Sequence, residues 1–384
     1  MKKIVILHVF PDEKFFDSTA SFFDTMPEVE NRYFFYSKKK NHKFKYIKSK
    51  DKVKLFHNFI KYVKELRRKD LDFVIFHRLV GQDYLKTFII KSKTKVIWWE
   101  WGYEIYLAQH HMMPLVNIDL YKPYTKEFVN NNNSINHSLI SSLVKKLEAF
   151  IFTQVRRFGV SRVDFMIPTI PIDYQLMKQH CSFFKAEPLF NAFFRYVTEF
   201  TYHEKSENIL VGNSLTYTNN HLDVFKYLNG IDIQEERKII IPISYGGCYG
   251  GIDNFKLLSH INHTNILWLT ELMSFQNYSA LLKTVTHGIW GNLRQQAMGS
   301  IYYCLKTGVK IYLFKDSVIY KQFKKDGFTI FSIEDDLTTQ SLSDCLPKDD
   351  AKRNNDLYNK IVQSSGPYNL RIKLENCLKD NSKQ

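Results

Sequence analysis

Short apolar runs rich in β-branched and aromatic residues alternate with amphipathic helical runs along most of this chain. The first half predicts strands at 4–9, 33–36, 73–76, 96–99 and 163–167, and helices at 19–25, 54–67, 84–90 and 139–158. A strand followed by an amphipathic helix, repeated several times, is typical of a parallel sheet with helices on its faces. We therefore expect the first half to form one α/β domain, followed by an aromatic-rich crossover at 183–202.

The same alternation starts again at Ile209. It predicts further strands at 238–244, 266–270, 286–290 and 309–314, with helices at 220–228, 254–258, 278–285 and after Gly299. Because 384 residues exceed the usual size of one hydrophobic core, the two series predict two domains. The predicted fold class is α/β, with two Rossmann-like domains facing a cleft and ligands outside the carboxyl ends of the strands. The predicted division is 1–203, 204–348, and a polar helical segment at 349–384 that packs back on the first domain.

The formal net charge of +15 indicates an anionic partner, which on charge alone could be nucleic acid, a nucleotide or an anionic membrane surface. Nine lysines against one aspartate lie between Lys38 and Lys54, with apolar residues among them. This segment predicts either a solvated loop or edge strand, or a membrane-facing patch. A second basic cluster, formed by Arg156, Arg157 and Arg162, is also expected to contact anionic lipid.

The five cysteines are scattered, without C-x-x-C pairs or metal-type spacing, so the sequence favours a reducing compartment over a zinc site or disulfide framework. The N-terminal run MKKIVILHVF is short and ends at Pro11, which predicts a first buried strand and not a signal peptide. No apolar stretch reaches the roughly 18 residues of a spanning helix, so any membrane contact is expected to be peripheral.

The motif Gly291-Asn-Leu-Arg-Gln-Gln-Ala-Met-Gly-Ser300 lies between a predicted strand and a predicted helix. Arginine supplies a planar cationic fork, and the free N–H groups at a helix start face an anion in the same place. Arg294, Gln295, Gln296, Gly299 and Ser300 therefore predict a diphosphate site. The alternative is a surface arginine paired with a carboxylate, which leaves the three long polar side chains unexplained.

Two other polar turns follow strands of the predicted second domain. Gly212, Asn213 and Ser214 end its first strand, and Tyr245 and Gly246 follow its second. Glycine lets the backbone come close to a phosphate or sugar, while the neighbouring side chains supply hydrogen bonds. The alternative is an ordinary turn, because Asn and Ser also cap helices and glycine is common in loops.

In the first domain, the run Trp98-Trp-Glu-Trp-Gly-Tyr-Glu-Ile-Tyr106 follows a buried strand. Its aromatic faces could stack on sugars or bases, and a partly desolvated glutamate, Glu104 or Glu100, would become a useful base. Aromatic packing with solvated glutamates is the alternative.

Two histidines, His8 and His77, end strands at the same predicted edge. Each could be a base or a phosphate donor, or a structural hydrogen-bonding group. The pair His110-His111 lacks an acidic partner at helical spacing, so no metal site is expected.

Taken together, these segments resemble the bacterial TDP-N-acetylfucosamine:lipid II N-acetylfucosaminyltransferase family, the 4-alpha-L-fucosyltransferases of enterobacterial common antigen synthesis. The matching segments, in the family's order, are Ile6-Leu-His-Val9, Trp98 with Trp101-Gly102, Glu104 and Tyr106, Ile209-Leu-Val-Gly-Asn-Ser214 with Asn220-His221, Ile241-Pro-Ile-Ser-Tyr-Gly246, and Arg294-Gln-Gln296 with Gly299. Trp99 stands where the family pattern leads us to expect histidine, and Ala-Met-Gly-Ser300 replaces a glycine-richer turn.

The resemblance implies a GT-B glycosyltransferase that binds a nucleotide sugar mainly with its C-terminal domain. It also implies a deoxyamino sugar donor, a polyprenyl-diphosphate-linked acceptor, and a place on the cytoplasmic face of the inner membrane, in polysaccharide synthesis of the O-antigen or common-antigen type. On this interpretation Arg294 offsets charge on the leaving diphosphate and Glu104 accepts the acceptor's proton, with His8 or Glu100 as alternatives.

The remaining predicted roles are binding roles. Gly212, Asn213, Ser214, Tyr245, Gly246, Gln295, Gln296, Gly299 and Ser300 are expected to bind the donor, and Trp98, Trp101, Gly102 and His77 the acceptor. Because Arg294 and the helix start at Gly299-Ser300 can offset the charge of the diphosphate, transfer without a metal ion or other cofactor is expected. Two alternatives stay open: a nucleotide-sugar epimerase on the same scaffold, and a basic nucleic-acid-binding protein. The motifs beside strand ends disfavour nucleic acid as a partner.

Overall fold

The computed structural model describes residues 3–13, 15–107, 112–132, 139–189 and 199–379. By their contacts, the residues divide into two units. The first contains the described residues of 1–117, 137–193 and 364–384, and the second those of 118–136 and 194–363. The segment 118–136, which the sequence division assigned to the first domain, therefore belongs to the second unit by contacts.

The first unit is built on a parallel sheet of seven strands in the order β3-β2-β1-β4-β5-β6-β7. Its strands, numbered in chain order, are β1 (Ile4–Phe10), β2 (Val29–Tyr36), β3 (Val53–Phe56), β4 (Phe73–His77), β5 (Lys95–Trp99), β6 (Phe165–Ile167) and β7 (Glu187–Pro188). Its helices are α1 (Phe16–Asp24), α2 (Phe59–Leu66), α3 (Asp83–Ile89), α4 (Tyr103–Tyr106), α6 (Leu139–Ser161), α7 (Pro171–His180) and α16 (Pro367–Lys379).

The second unit has a parallel sheet of six strands in the order β10-β9-β8-β11-β12-β13. The strands are β8 (Asn208–Val211), β9 (Ile239–Pro242), β10 (Ile266–Leu269), β11 (Val285–Trp290), β12 (Lys310–Leu313) and β13 (Phe331–Ser332). The helices are α5 (Pro123–Asn132), α8 (His221–Leu228), α9 (Ile252–Leu258), α10 (Phe275–Leu282), α11 (Met298–Lys306), α12 (Val318–Lys325), α13 (Ile333–Asp336), α14 (Thr339–Ser343) and α15 (Lys348–Ser364).

The central strands are buried along their whole length, as β1 and β11 illustrate. Because helices cover both faces of a parallel sheet, these strands have no solvated polar face, and even their polar side chains, such as His8 and His287, are buried. In the first unit, Leu370 and Leu374 of α16 join Ile6 and Ile75 in one core cluster, so the C-terminal helix packs on the first sheet.

Both sheets share one topological feature that places the candidate site. In each sheet the first strand of the unit lies between the next strand of the chain and a strand that comes later. Strand β1 lies between β2 and β4, and β8 lies between β9 and β11, so the strand order reverses at β1 and at β8. This is the switch point of a doubly wound sheet, where a crevice opens outside the carboxyl ends of the two central strands. The crevices are therefore expected outside the carboxyl ends of β1 and β4 in the first sheet and of β8 and β11 in the second.

The helix predicted at 54–67 was wrong over its first residues. Val53–Phe56 form the edge strand β3, and α2 starts only at Phe59, because Asn58 caps it by accepting a hydrogen bond from Lys61 N. The lysine-rich segment before it is an exposed loop leading into this edge strand. Glu13 and Asp17 fix that loop by accepting hydrogen bonds from four of its backbone N–H groups.

Two other predictions also differ from the structure. The helix predicted at 278–285 is α10, which ends at Leu282, because Val285 already begins β11. The crossover predicted at 183–202 lies outside the described residues from 190 to 198.

Candidate active site

Two glycines bring the turns after β8 and β11 together at the switch point of the second sheet. Gly212 has φ +66°, and its N–H donates to Ile289 O across the two strands. A Cβ atom at Gly291 would lie 2.4 Å from Asn219 O, so only glycine permits this approach. Both turns therefore meet at one point on the carboxyl edge of the sheet.

Gln296 ties the two turns together through its side-chain amide. Its Nε2 donates to Asn213 Oδ1 at 3.0 Å and to Thr216 Oγ1 at 3.2 Å, while its Oε1 accepts from Thr218 Oγ1 at 2.7 Å. The amide thus holds the loop after β8 in one conformation. Of the predicted donor residues, Gln296 supports the others from inside the protein.

A second set of hydrogen bonds, from Asn219 and Asn220, also fixes the loop after β8. Asn219 Nδ2 donates to the carbonyl and the hydroxyl of Ser214, so the Ser214 side chain is buried and committed to this contact. Asn220 adopts a left-handed conformation and donates to Gly291 O and Leu120 O. A polar framework therefore connects the loop, the next turn and the segment that enters the second unit.

Tyr245 and Gly246 bring a third loop to this edge. Gly246 has φ +117°, and a Cβ atom there would lie 2.5 Å from Leu215 O. Leu215 N donates to Tyr245 O at 2.6 Å, and Asn213 Nδ2 donates to the Tyr245 hydroxyl at 2.9 Å. The residues predicted from three separate turns are thus joined by hydrogen bonds.

Arg294 lies buried beside this framework. Its Nη1 donates to Gln295 O at 2.7 Å, and its charge acts on the phenols of Tyr121 and Tyr245. Burial raises the pKa of Tyr121, and the Arg294 guanidinium opposes part of that rise. A buried cation next to two phenols differs from the exterior arginine of the alternative interpretation. The guanidinium is a preorganised positive charge at the switch point.

Helix α11 begins directly after Arg294-Gln-Gln. Ala297, with φ +61°, precedes the helix, and Gly299 and Ser300 lie in its first turn. The first N–H groups of a helix have no acceptor within it and carry a partial positive charge. The Ser300 hydroxyl lies 3.2 Å from the Tyr278 hydroxyl. Residues 294–300 thus place a guanidinium near a helix N-terminus.

In the first unit, Glu104 lies buried at the carboxyl edge of β5. Its Oε1 accepts from Trp101 N at 2.9 Å and from Trp98 Nε1 at 3.3 Å. Burial raises the pKa of Glu104 to about 7, and the hydrogen bonds oppose a larger rise. A carboxyl group with such a pKa exchanges protons near neutral pH.

Two more carboxyl groups are buried next to Glu104. Burial, with the neighbouring Asp173 and Glu104, raises the pKa of Glu100 well above its usual range, and burial raises the pKa of Asp173 to about 7. Tyr106 donates to Asp173, at 2.5 Å, and Thr169 N donates to Glu100 at 3.0 Å. The contacts of Glu100 therefore lie in the interior of the protein. Glu104 is the carboxyl group that contacts the tryptophan run, through Trp98 and Trp101.

His8 and His77 are fully buried and form one chain of hydrogen bonds. Because Asn31 Nδ2 donates to Phe23 O, its Oδ1 accepts from His8 Nε2, and His8 Nδ1 accepts from His77 Nε2 at 3.0 Å. Burial lowers the pKa of His8 to about 4, so the ring is neutral at physiological pH. In this arrangement both nitrogens of His8 are already occupied within the sheet.

The tryptophans divide between the core and the edge. Trp98 and Trp99 are buried, and Trp98 positions Glu104 through its indole N–H. Trp101 is half-buried and packs edge-to-face on Phe15, while Gly102 takes φ +97° at the start of α4. Among these residues, Trp101 is the one with a face at the surface on which a sugar ring could stack.

Several site residues escaped the sequence analysis. Thr216, Thr218 and Asn219 complete the framework around Gln296; the polar run Thr-Tyr-Thr-Asn-Asn after the strand was the available signal. Asp173 lies 73 residues beyond Glu100 in the chain and gave no local signal. Arg78, directly after β4, was available from its position at a strand end.

No three His, Cys, Asp or Glu side chains are grouped to hold a metal ion in the part of the chain that the structure describes. His110 and His111 lie outside the described residues. None of the described helices is long and apolar enough to cross a membrane.

Known structures share this architecture over the whole chain. Anabaena HepE, solved with UDP and glucose, is similar at a TM-score of 0.60 and 10% identity, covering 98% of this chain and 100% of that one. Sucrose-phosphate synthase from Thermosynechococcus elongatus matches at 0.60 and 6%, covering 99% of both. The lipopolysaccharide outer core galactosyltransferase WaaB matches at 0.57 and 11%, covering 100% of both. At these identities the likeness shows the fold, which is GT-B, as predicted.

The sequence itself matches one family model. No curated protein gives a significant match to the chain. The model described as 4-alpha-L-fucosyltransferase, glycosyl transferase group 56, matches residues 141–349, which is more than half of the 384 residues and includes the framework around Gln296. The resemblance inferred from the motifs is thereby confirmed, and the chain belongs to the 4-alpha-L-fucosyltransferase family of glycosyltransferases.

Proposed function

We propose that this glycosyltransferase moves a deoxyamino sugar from a TDP-linked donor to a hydroxyl of a lipid-linked or growing cell-surface glycan. The observation that carries the proposal is the switch point of the second sheet. There Arg294 lies buried beside a loop that Gln296 and Asn219 hold rigid, at the start of α11. Cleaving the donor leaves a nucleoside diphosphate, and a fixed cation with a helix N-terminus is suited to that developing charge.

In this proposal the donor rests on the turns after β8, β9 and β11. Gly212 and Gly246 allow close approach of backbone N–H groups, and Asn213 with Tyr245 supplies side-chain hydrogen bonds. Arg294 and the first turn of α11 offset the charge of the diphosphate, so this chain's own groups can supply the stabilisation for which other transferases use a metal ion.

Glu104 acts as the base toward the acceptor hydroxyl in this proposal. Its pKa of about 7 allows the carboxylate to form near neutral pH and to accept the hydroxyl proton as the new glycosidic bond forms. Trp101, beside it, offers the aromatic face for the acceptor sugar. Trp98 and the neutral histidines His8 and His77 support this edge from within.

The acceptor's location is proposed to be an anionic membrane surface on the cytoplasmic side. All nine lysines between Lys38 and Lys54 are exposed. Helix α6 exposes large apolar side chains, Val144, Leu147, Phe150, Ile151 and Phe158. Exposed cations are attracted to an anionic bilayer surface, and exposed apolar side chains can enter its interface.

The predicted basic cluster of Arg156, Arg157 and Arg162 offers less exposed positive charge to a membrane than expected. Arg156 is buried and donates to Met113 O, and Arg162 binds Asp164 and two carbonyls. Of the three arginines, Arg157 is the exposed one.

A thermal-shift panel of TDP- and UDP-sugars tests the donor assignment. A ligand at a hundredfold excess over its Kd stabilises the folded protein by about 2.7 kcal/mol, so a donor raises Tm. Arg294→Ala should weaken binding roughly 10- to 100-fold, since hydrogen bonds to charged groups contribute about 1.5–3 kcal/mol. Arg353→Ala, which removes an exposed arginine on α15 of the same unit, should leave the shift unchanged. If no nucleotide sugar raises Tm while oligonucleotides do, the proposal that the protein uses a nucleotide-sugar donor is wrong.

A further inference from the structure

Arg78 adopts a backbone conformation that ordinary residues avoid. It follows β4 directly and has φ +89°, on the side of the Ramachandran map that favours glycine. Its N–H donates to Trp99 O at 3.0 Å, which extends the pairing of β4 with β5 by one residue. A non-glycine residue held in this way at a strand's carboxyl end is a recurrent feature of functional sites.

The contacts of the Arg78 guanidinium leave hydrogen-bonding capacity unused. Nη1 donates to the Tyr103 hydroxyl at 2.7 Å, and the group lies about 6.0 Å from the centre of the Tyr103 ring. Nε is buried and has no acceptor among the described residues. Among those residues, no carboxylate forms an ion pair with Arg78 within 4.0 Å. A buried N–H without an acceptor needs an explanation, and a bound ligand is one of the ordinary ones.

The position of Arg78 relates it to the acceptor side of the reaction. Its charge acts on Glu104 and on Tyr103, so the guanidinium lies close to the carboxyl group proposed as the base. Arg78 itself is only half-buried, which leaves the guanidinium accessible from solvent. It directly follows β4, the strand that pairs with β1 at the switch point of the first sheet.

We propose that Arg78 binds an oxyanion of the acceptor, a phosphate or a carboxylate, next to the hydroxyl that receives the sugar. The inference rests on the proposed function, in which the first unit binds the acceptor. A planar guanidinium presents two parallel donors to such a group, and Nε with one Nη forms the fork that phosphates and carboxylates fit. Tyr103 fixes the orientation of the guanidinium from the other Nη atom. Arg78 is thus a specificity-determining residue for an anionic acceptor.

Binding of two soluble probes, measured by calorimetry, tests the proposal without catalysis. Farnesyl diphosphate represents the phosphate source and methyl glucuronide the carboxylate source; farnesol and methyl glucoside are their neutral counterparts. The full chain is used in an Arg294→Ala background, so that the diphosphate site proposed in the second unit does not contribute. We expect one anionic probe to bind at least about tenfold more tightly than its neutral counterpart.

Arg78→Gly is the most informative variant. Glycine accepts φ +89° without strain, so the variant should fold with an unchanged or higher Tm while it loses the preference for the anionic probe. Tyr103→Phe, which removes the hydroxyl that orients the guanidinium, should lose part of that preference. Arg67→Gln removes an exposed arginine at the end of α2 and should change nothing.

The outcomes separate the two proposals. The role of Arg78 is overturned if an anionic probe binds the parent and Arg78→Gly with equal affinity. It is also overturned if, in the parent, each anionic probe binds no more tightly than its own neutral counterpart. Failure of the proposed donor chemistry shows instead in the nucleotide-sugar thermal shifts, which do not involve Arg78.

Discussion

The backbone of Gly212 lies directly against the imidazole of His221: a methyl group at position 212 would stand 2.4 Å from His221 Nε2. The histidine begins α8 and is fully buried, and burial lowers its pKa to about 3. The turn that carries the proposed donor site therefore packs on a neutral, fully buried imidazole. The close contact explains why the position requires glycine for reasons beyond its φ angle.

Gly212→Ala should destabilise the protein by about 2–5 kcal/mol. Left-handed backbone costs a non-glycine residue roughly 1–2 kcal/mol, and overpacking a buried contact costs about 1–3 kcal/mol more. Gly247→Ala is the matched control, because Gly247 has the same φ of +66° with open space around the would-be Cβ. In urea unfolding, only Gly212→Ala should lose more stability than the roughly 1–2 kcal/mol of backbone strain. Equal losses in Gly212→Ala and Gly247→Ala would contradict the contact with His221.

Gln296→Met should loosen the donor site and lower stability together. The substitution keeps the approximate volume but removes hydrogen bonds to Asn213, Thr216 and Thr218. Leaving buried polar partners unsatisfied costs about 1–3 kcal/mol. Gln340→Met, which changes an exposed glutamine paired with Asp344, should stay within about 0.5 kcal/mol of the parent. Chemical denaturation gives the stability, and nucleotide-sugar thermal shifts give the binding.

Glu104 should make stability fall as pH rises toward neutrality. Its pKa in the folded protein is about 7, above the ordinary value of 4.5, so the folded state holds a proton that the unfolded chain has released. The stabilisation is complete below about pH 4.5 and is lost as pH rises through 7, by up to about 3 kcal/mol.

The difference in unfolding free energy between the parent and Glu104→Gln isolates this effect. Because Gln cannot titrate, the variant should gain stability relative to the parent between pH 4.5 and 8. It should also lose the rising limb near pH 7 in the rate of sugar transfer. Glu127→Gln, at an exposed position, should reproduce the parent's curve. A constant difference across this range would show that Glu104 is already ionised when folded.

The exposed apolar face of α6 should determine binding to vesicles. Leu147 and Ile151 are 62% and 52% exposed on adjacent turns of the helix. Replacing both with glutamate should lower co-sedimentation with anionic vesicles at least about tenfold, because each apolar side chain lost from the interface removes about 1.5–3 kcal/mol. Leu257→Glu, a 76% exposed leucine on α9, should have no effect. Equal loss in all variants would indicate a purely electrostatic contact.

The periodicity of the chain was sufficient to predict two parallel sheets, because buried parallel strands are apolar along their whole length and helices are not. It failed at residues 53–56, where lysines on an edge strand resemble a solvated helix face. The assignment of residues 118–136 to the second unit depends on hydrogen bonds such as Lys122 N to Asn220, almost a hundred residues apart, and no local pattern records them.

The candidate site was predictable where the chemistry lies in a turn. Gly212, Tyr245 and Gln296 each follow a strand, and parallel strands end at the same edge. What the turns could not reveal is which polar groups face inward. Ser214 and Trp98 resemble ligand-binding residues in the sequence, yet one hydrogen-bonds Asn219 and the other Glu104. Such roles are set by tertiary neighbours, as is the pKa of Asp173, which burial raises to about 7.

Asn220 joins parts of the chain that lie far apart in sequence, since one side chain bonds the segment at Leu120 and Lys122 on one side and Gly291 on the other. A C-terminal fragment that began at residue 204 would lack the segment 118–132, which Asn220 binds through Leu120 and Lys122. Expression of the second unit alone should therefore join residues 118–132 to it and should not rely on a single truncation point.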